Sequence, residues 1–453
     1  MEKLEKLGGE DMGQTSNVRT VAVASMIGTT IEWFDFFAYA TAAALVFNVL
    51  FFPQFDPLVG TVLAFGGVAA GYLSRPLGSI VFGHFGDRVG RKTTLVISLL
   101  IMGLATFLIG ALPTYATIGA LAPILLITLR FIQGFALGGE WGGAVLMSVE
   151  HAPRGRRGFY GSFPQAGLAL GLLLSTSIFL AVEALPEDQL MAWGWRIPFL
   201  LSVLLVGLGL FIRLKITESP AFQRVKQTNT EARVPLVDTL RTHTRAVVLT
   251  CLTYLVMGGI FYVLFAFSLT YGTEQLGMER ITMLVLTLIA SSVTLLGYPF
   301  FGHLSDKVGR KRTYLGGTLL VIATAFPIFW LINTQVFVLM LLGFLIGSIG
   351  ISAIYGPMGA LFSEAFEARV RYTGMSLGLT LGTILGAAFV PIIFTELLAT
   401  FGASWPISVY VMVVGVISAT ATALLKTSAT HDSGEARAYE SHKAPEKTET
   451  ISQ

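Results

Sequence analysis

Two carboxylates stand three residues apart inside one long apolar stretch of the sequence. Glu32 and Asp35 belong to the segment 31–37 (IEWFDFF), near the middle of the stretch 21–50. A spacing of three places both side chains on one face of a helix, and a stretch of this length spans a bilayer. An acid at bilayer depth is costly unless it faces a partner or a cavity. The pattern therefore indicates movement of an ion or a solute.

The chemistry predicted for this pair is proton coupling. Burial away from water favours the neutral form of a carboxyl group, and a second acid nearby favours it further. Such a pair holds a proton near neutral pH and releases it when water reaches it, so Glu32 and Asp35 are candidate proton carriers. A structural ion pair with an arginine is the alternative, and the two roles are compatible.

One arginine lies at a matching depth. Arg130 is near the middle of the apolar stretch 118–148, and a guanidinium presents a planar fork that matches a carboxylate. We hypothesise that Arg130 alternates between Asp35 (or Glu32) and a substrate carboxylate. Gln133 follows three residues later on the same face and can hydrogen-bond the ligand. The alternative is a permanent ion pair between the first and fourth spans.

A second arginine, Arg75, lies nearer the end of the second span. Its expected partner is Glu140, about ten residues beyond Arg130 on the fourth span. This pair is interpreted as an inner gate or a proton exit, for which Glu140 is a third proton-coupling candidate. A packing role is the alternative.

The composition is that of a protein with many membrane spans. Of 453 residues, 54% are hydrophobic and 13% are charged, with a mean hydropathy of +0.72, whereas a soluble domain carries about 25% charged residues. We predict an all-α membrane protein with twelve transmembrane helices. They are 21–50, 58–83, 93–112, 118–148, 158–181, 193–214, 245–270, 280–301, 313–333, 336–362, 372–396 and 404–426.

The basic residues predict the orientation. All but four of the 30 lysines and arginines fall on one side of the predicted membrane, and that side is expected to be cytoplasmic. The predicted organisation has two bundles of six helices and three cytoplasmic segments. They are the amino-terminal tail 1–20, the bundle 21–214, the central loop 215–244, the bundle 245–426 and a disordered tail 427–453.

The two bundles repeat one another. The segment 83–92 (GHFGDRVGRK) follows the second span, and 302–312 (GHLSDKVGRKR) follows the eighth. After the fourth span, Glu150 precedes a basic cluster, and after the tenth, Glu364 does the same. Matching loops in matching places predict two pseudo-symmetric six-helix bundles related by an axis along the membrane normal.

These loops resemble the signature of the major facilitator superfamily. Within it, four segments are similar to the metabolite:proton symporter family: 32–36 (EWFDF), 130–143 (RFIQG…GGEWGG), 193–199 (WGWRIPF) and 218–222 (ESPAF). The resemblance implies import, with protons, of organic acids such as 2-oxoglutarate, citrate and shikimate, or of zwitterionic osmolytes. The loops, including 161–165 (GSFPQ), are most similar to those of shikimate-type members. The implied location is the inner membrane of a prokaryote.

The candidate binding residues come from both bundles. The carboxy-terminal bundle has no charge at mid-membrane but carries tyrosine, serine and threonine, and aromatic rings with hydroxyl tips suit a small ring-shaped or polyhydroxylated acid. The alternative for each residue is packing. The candidates are Trp33, Tyr39, Arg130, Gln133, Gln165, Tyr254, Tyr262 and Tyr355.

The loop motifs are interpreted as parts of a cytoplasmic gate. Acids there can cap neighbouring helix ends, and glycines allow tight turns. Such contacts would hold the cytoplasmic side closed. The candidate gate residues are Arg75, Gly83, Asp87, Arg88, Gly90, Arg91, Lys92, Glu150, Gly302, Asp306, Gly309, Arg310, Lys311, Glu364, Arg369 and Arg371.

Other classes of function lack their motifs. The sequence has no phosphate-binding loop, no nucleophile motif and no metal-ligand spacing, so we expect no enzyme activity, no cofactor, no metal and no nucleic-acid partner. The expected partners are a small organic acid, protons and the lipid bilayer, with the protein as a monomer. The alternatives are an osmolyte symporter for betaine or proline, a sensor with a transporter-like fold, or an exporter.

Overall fold

The computed structural model describes residues 18–427, except 56, 154, 184, 220–221, 224–226 and 228–234. Most of the two predicted tails and part of the central loop therefore lie outside the described residues. Within the described ranges the chain is helical, with no strand. Eleven of its helices are long and apolar enough to cross a membrane, and the helix Pro57–Arg88, 32 residues long, occupies the predicted second span.

Twelve long helices follow one another along the chain. They are α1 (Val18–Ala42), α2 (Pro57–Arg88), α3 (Arg91–Ala111), α4 (Leu121–His151), α5 (Phe163–Glu183), α6 (Ile197–Leu214), α7 (Thr244–Tyr262), α8 (Arg280–Val308), α9 (Arg310–Asn333), α10 (Phe337–Ser363), α11 (Arg371–Thr383) and α12 (Trp405–Leu424). Shorter helices are Tyr115–Ile118, Arg157–Gly161, Glu187–Ala192, Gly194–Arg196 and Pro235–Thr242.

Three of the long helices continue through π-helical turns. α1 continues through Ala43–Phe47 to Phe51, and α7 continues through Val263–Phe267, Ser268–Thr270 and Tyr271–Gln275. α11 continues through Ile384–Ala388 to a further helix, Val390–Phe401. The π turns after α1 and α7 fall at equivalent places in the two halves of the chain, so the repeat seen in the loops extends to the helix geometry.

The two halves pack alike. In the amino-terminal half α2 packs on α4, α1 on α5 and α3 on α6; in the carboxy-terminal half α8 packs on α10, α7 on α11 and α9 on α12. Between the halves, α2 meets α11 and α5 meets α8. The structure confirms the predicted fold class, an all-α membrane protein with two pseudo-symmetric bundles of six helices.

Glycines at every fourth position form a stripe along α4 and another along α11, and these stripes let the helices within each half approach closely. They are Gly134, Gly138 and Gly142 on α4 and Gly374, Gly378 and Gly382 on α11. A Cβ on Gly138 of α4 would lie 2.2 Å from the backbone oxygen of Arg75 on α2, and a Cβ on Gly382 of α11 would lie 2.7 Å from the Cβ of Tyr254 on α7. No side chain larger than hydrogen fits at those distances. The stripes therefore fix the position of α2 against α4 and of α7 against α11, which carry the residues described next.

Candidate functional site

A cavity lies between the two halves at the level of α1 residue 32. Its amino-terminal wall includes Glu32, Trp33, Arg75 and Trp141. Its carboxy-terminal wall includes Tyr254, Tyr355, Ser376, Thr380 and Thr383. The charged groups come from one half and the hydroxyl groups mainly from the other, as the sequence suggested.

Several polar atoms of this cavity lining are buried and have no hydrogen-bond partner among the described residues. They include Glu32 Oε2, Trp33 Nε1 and Ser376 Oγ, and Glu32 is only 4% exposed. A buried polar group without a partner costs about 1–3 kcal/mol, and such groups are uncommon in folded proteins. Arg75 Nε and Trp141 Nε1 of the lining are also without a partner among the described residues, so the cavity presents one acceptor and several donors to a polar ligand.

Asp35 lies in a different environment from Glu32, inside the amino-terminal half. Thr106 on α3 donates a hydrogen bond to Asp35 Oδ2 at 2.6 Å, and Gln133 Nε2 on α4 donates to the Thr106 hydroxyl, also at 2.6 Å. Arg130 Nη1 donates to Gln133 Oε1 at 3.2 Å. A continuous chain of hydrogen bonds therefore joins Arg130 to Asp35 through two neutral side chains.

Arg130 itself is sealed inside the amino-terminal half. It is 2% exposed, its guanidinium lies 4.4 Å from the ring centroid of Tyr39, and Gly71 of α2 leaves room for its Nε. Asp35 is the acidic side chain with which it interacts electrostatically. The contact with the Tyr39 ring and the hydrogen bond to Gln133 hold the Arg130 guanidinium in place. In that place it can interact with the Asp35 carboxylate, which lies about one turn before Tyr39 on α1.

Arg75 and Glu140 are not partners. Glu140 forms an ion pair with Arg213 of α6 and accepts a hydrogen bond from Ser98 at 2.7 Å, and Arg213 also donates to the Leu95 carbonyl at 2.7 Å. The predicted Arg75–Glu140 pair was wrong because the end of α6 brings a closer cation. Proton coupling by Glu140 stays a prediction, but a fully paired carboxylate also fits a purely structural role.

Besides Arg130 and Gln133, three more predicted binding residues lie away from this cavity lining. Tyr39 packs on Arg130. Tyr262 packs on the ring of Phe394 at 5.6 Å. Gln165 is fully buried on α5 next to Gly359 of α10, and neither amide atom has a partner among the described residues. Their role in substrate binding remains a prediction.

The side of the protein that carries the α2–α3, α4–α5, α8–α9 and α10–α11 loops is called the basic side below. There, each half caps a helix of the other. Asp87 accepts hydrogen bonds from the backbone N–H groups of Tyr372 and Thr373, at 3.3 and 3.0 Å, and from the Thr373 hydroxyl. These N–H groups open α11, so the carboxylate stabilises the positive end of that helix.

The repeat of Asp87 makes the reciprocal contact. Asp306 accepts from the backbone N–H groups of Gly158 and Phe159, at 2.8 and 2.9 Å, at the start of the helix that leads into α5. Gly302 approaches this segment so closely that a Cβ would lie 2.6 Å from the Gly158 oxygen. Gly83 makes the matching approach to Thr373, at 3.0 Å. These contacts join the two halves on the basic side.

Ion pairs surround both caps. Arg91 pairs with Glu150, which also accepts from Arg371 of the other half at 3.1 Å. Arg310 pairs with Glu364 and, at 3.3 Å, with Asp306. Burial raises the pKa of Glu364, an effect that the neighbouring Arg310 opposes. Because Arg91 and Glu150 belong to the amino-terminal half and Arg371 to the other, their contact is a charged link between the halves.

The remaining predicted gate residues brace their own half. Gly90 and Gly309 have φ values of +130° and +105°, which glycine adopts readily, and they form the tight turns before α3 and α9. Lys92 Nζ donates to the Leu214 carbonyl at the end of α6, and Lys311 Nζ does the same at the end of α12, to Leu425.

Two predicted gate arginines make more peripheral contacts. Arg88 is exposed next to His84. Arg369 pairs with Glu367 and Asp238. Neither residue touches the other half through these contacts.

Sequence reasoning missed four residues that the geometry brings to the site. Thr106 and Ser376 are ordinary hydroxyl residues in apolar helices, and Trp141 was noted only as part of a motif. Arg213 ends a span and was counted among the orienting charges. For Arg213 the sequence does contain a signal, because Glu140 is an acid in an apolar segment and a buried acid requires a cation. Among the described residues no group of histidine, cysteine or acidic side chains could hold a metal ion.

Comparison with known proteins agrees with this fold. A family model described as Sugar (and other) transporter matches residues 20–247, and one described as Major Facilitator Superfamily matches 281–449. A solved structure of the proton:xylose symporter XylE bound to 6-bromo-6-deoxy-D-glucose has a TM-score of 0.74 at 18% identity, covering 91% of this chain and 96% of XylE. That likeness shows the fold.

Three relatives are similar over most of their length. The shikimate transporter of Escherichia coli is 40% identical, covering 91% of this chain and 95% of the relative. The inner membrane metabolite transport protein YhjE of E. coli is 43% identical over 84% and 88%. The proline/betaine transporter of Salmonella typhimurium is 31% identical over 91% and 84%.

Fold, buried charges and relatives together define a membrane transporter and not an enzyme. The protein is a multi-pass protein of the plasma membrane. The chain belongs to the metabolite:proton symporter family of the major facilitator superfamily.

Proposed function

We propose that this protein is a proton-coupled symporter that imports a small organic carboxylate by alternating access. A cyclic hydroxylated acid of the shikimate type is the favoured substrate, and a dicarboxylate such as 2-oxoglutarate is next. The observation that carries the proposal is the cavity between the halves, where one acid and one arginine meet aromatic rings and hydroxyl groups. Such a lining suits an anionic ring with several hydroxyl groups.

The basic side is proposed to face the cytoplasm, with both termini there, because lysine and arginine accumulate on that side. The reciprocal caps by Asp87 and Asp306 then close the cytoplasmic entrance. A substrate that enters from the opposite side reaches Glu32 while the cytoplasmic side stays shut. Import requires both caps to open, and this opening moves the two bundles as units.

The proton is proposed to bind at Asp35. When ionised, Asp35 is held by Thr106 and faces the charge of Arg130. Protonation removes the negative charge, so Arg130 loses its electrostatic partner on α1 and the contact between α1 and α4 weakens. In this scheme the proton changes the packing inside the amino-terminal bundle, and the substrate changes the contacts between the bundles. Opening requires both.

An uptake assay in proteoliposomes tests the proposal. With the protein oriented and an inward proton gradient imposed, labelled shikimate is expected to accumulate above its outside concentration, and a protonophore is expected to abolish the accumulation. Competition by 2-oxoglutarate, citrate, hydroxybenzoates and betaine ranks the substrates. Uptake that persists unchanged after the gradient is collapsed would contradict symport.

A zwitterionic osmolyte is the second candidate. Aromatic rings beside a carboxylate, here Trp33, Trp141 and Glu32, are also the groups that bind a quaternary ammonium, and one relative is named a proline/betaine transporter. In the same assay, stronger competition by betaine than by shikimate would favour this function over the first.

A further inference from the structure

We infer that Arg75, and not Arg130, binds the substrate carboxylate, and that Glu32 beside it makes the site selective for singly charged acids. This inference rests on the proposed function, because it assigns the recognition of the proposed organic acid to particular residues. It replaces the sequence-based hypothesis that Arg130 alternates between an acid and the substrate.

The two arginines share one aromatic neighbour. The guanidinium of Arg75 lies 5.8 Å from the ring centroid of Phe36, and that of Arg130 lies 5.4 Å from the same centroid. Arg75 is the cation that interacts most strongly with Glu32, whereas Arg130 is the one that interacts with Asp35. The amino-terminal half thus holds two acid–arginine systems, and the arginine of each lies near Phe36.

Arg130 is committed to its own surroundings. Its contacts are Gln133, the ring of Tyr39 and the backbone of α2 at Gly71, and it does not line the cavity described above. The rings of Phe36 and Tyr39 both lie near its guanidinium, so a substrate carboxylate would compete with them for that space. In this conformation Arg130 is therefore a positioning residue for Asp35 rather than a substrate ligand.

Arg75 differs from Arg130 in its access to the cavity. It lines the cavity, which Arg130 does not. Neither arginine takes part in an ion pair among the described residues, and the Nε of each has no hydrogen-bond partner there, but Arg130 Nη1 is engaged by Gln133. The guanidinium of Arg75 packs on the ring of Tyr72, 4.6 Å from the ring centroid. A cation held by a ring and otherwise unpaired is available for a planar, two-pronged contact with a carboxylate.

The charges of the cavity set the charge of the ligand. Arg75 is the one cation and Glu32 the one anion among the described lining residues. A monocarboxylate pairs with Arg75 and turns its neutral hydroxyl groups to Glu32 Oε2, which accepts hydrogen bonds. A second carboxylate on a small ligand would come close to Glu32, and like charges in a poorly hydrated site repel strongly.

Binding measurements on the purified full-length protein test both parts, with shikimate and its uncharged methyl ester as probes. Arg75→Gln should weaken shikimate binding by about tenfold or more and leave ester binding within about twofold, because only the charged contact is lost. Arg75→Lys should recover part of the loss. Arg245→Gln, which removes an exposed arginine at the start of α7, is the matched control and should bind like the wild type.

Arg130→Gln separates the two arginines. We expect it to bind shikimate within about threefold of the wild type and to lose proton-driven accumulation, because its partner is Asp35. Retained ester binding shows that each variant is folded. If Arg130→Gln weakens shikimate binding tenfold while Arg75→Gln does not, the assignment to Arg75 is wrong and the proposed function still stands.

The selectivity for singly charged acids is tested by the ratio of the affinities for shikimate and 2-oxoglutarate. The wild type should prefer shikimate to 2-oxoglutarate by at least about tenfold, and Glu32→Gln should narrow that ratio by removing the repelling charge. A ratio that Glu32→Gln leaves unchanged would overturn the role given to Glu32. A wild type that binds no organic acid in the panel would instead overturn the proposed function itself.

Discussion

Glu32 and Asp35 lie one helical turn apart on α1, yet their surroundings differ. Glu32 lines the cavity between the halves, next to Arg75 and with one oxygen unpaired. Asp35 lies within the amino-terminal half, where Thr106, Gln133 and Arg130 form a chain of hydrogen bonds behind it. Three residues turn a helix through about 300°, which is about 60° short of a full turn. The two carboxylates therefore lie on the same side of α1 but differ in direction by about 60°, which places Glu32 at the cavity and Asp35 inside the bundle.

The sequence predicts one shared role, proton coupling, for Glu32 and Asp35, but their different surroundings favour two separate roles. A carboxylate in a cavity can contact a ligand, whereas one inside a bundle can only alter the packing of helices. We therefore expect Glu32 to govern affinity and Asp35 to govern coupling. Substitutions at four positions test that division, from the largest expected effect on transport to the smallest.

The largest effect is expected for Asp35→Asn. The amide cannot carry a proton through the cycle, so accumulation driven by a proton gradient should disappear, while exchange of labelled for unlabelled substrate continues. Uptake and counterflow in the same proteoliposomes give both quantities. Wild-type accumulation by this variant would show that the proton is carried elsewhere.

A large change in affinity, with coupling retained, is expected for Glu32→Gln. Loss of the charged acceptor should raise KM by about tenfold, since hydrogen bonds to a charged group are worth about 1.5–3 kcal/mol. At saturating substrate the accumulation ratio should remain close to that of the wild type. The division of tasks fails if Glu32→Gln loses accumulation while keeping its KM.

A smaller effect is expected for Thr106→Val, which removes the hydroxyl between Gln133 and Asp35 without changing the size of the side chain greatly. We expect the rate of proton-driven uptake to fall by about tenfold, because one hydrogen bond to a charged group is lost. KM should stay unchanged. Thr106→Ser should restore the rate. If valine and serine behave alike, the hydrogen-bond chain does not contribute to coupling.

The smallest effect on coupling is expected for Glu140→Gln. Its partner Arg213 would be left buried without a counter-ion, which typically costs about 3–5 kcal/mol, so the melting temperature in detergent should fall. Protein that remains folded should accumulate substrate to the wild-type ratio. Loss of accumulation with unchanged stability would identify Glu140 as a proton carrier after all.

The fold could be predicted from the sequence because its signals are local. Apolar length located the spans, and the repeated loops around Asp87 and Asp306 revealed the two halves. The acids on α1 were found because a charge in an apolar stretch is conspicuous in any sequence. The spacing of Arg130 and Gln133 placed both on one face, and both belong to the chain of hydrogen bonds that reaches Asp35.

The pairing of those charges could not be predicted, because it depends on how α3, α4 and α6 rotate against α1. Nothing local distinguishes Thr106 from other threonines in apolar helices, and Arg213 had the position of an orienting charge. Depth along the helix suggested Arg75 for Glu140, but depth does not tell which face of α2 points toward the cavity. Tertiary packing decided each of these cases.

The most direct test of the account is the movement of protons that substrate itself causes. When shikimate is added to proteoliposomes without an imposed gradient, a pH-sensitive dye outside should report alkalinisation with the wild type and with Glu32→Gln at saturating substrate. With Asp35→Asn the dye should report no change while labelled substrate still exchanges. Proton movement in Asp35→Asn equal to that of the wild type would contradict the assignment of coupling to Asp35.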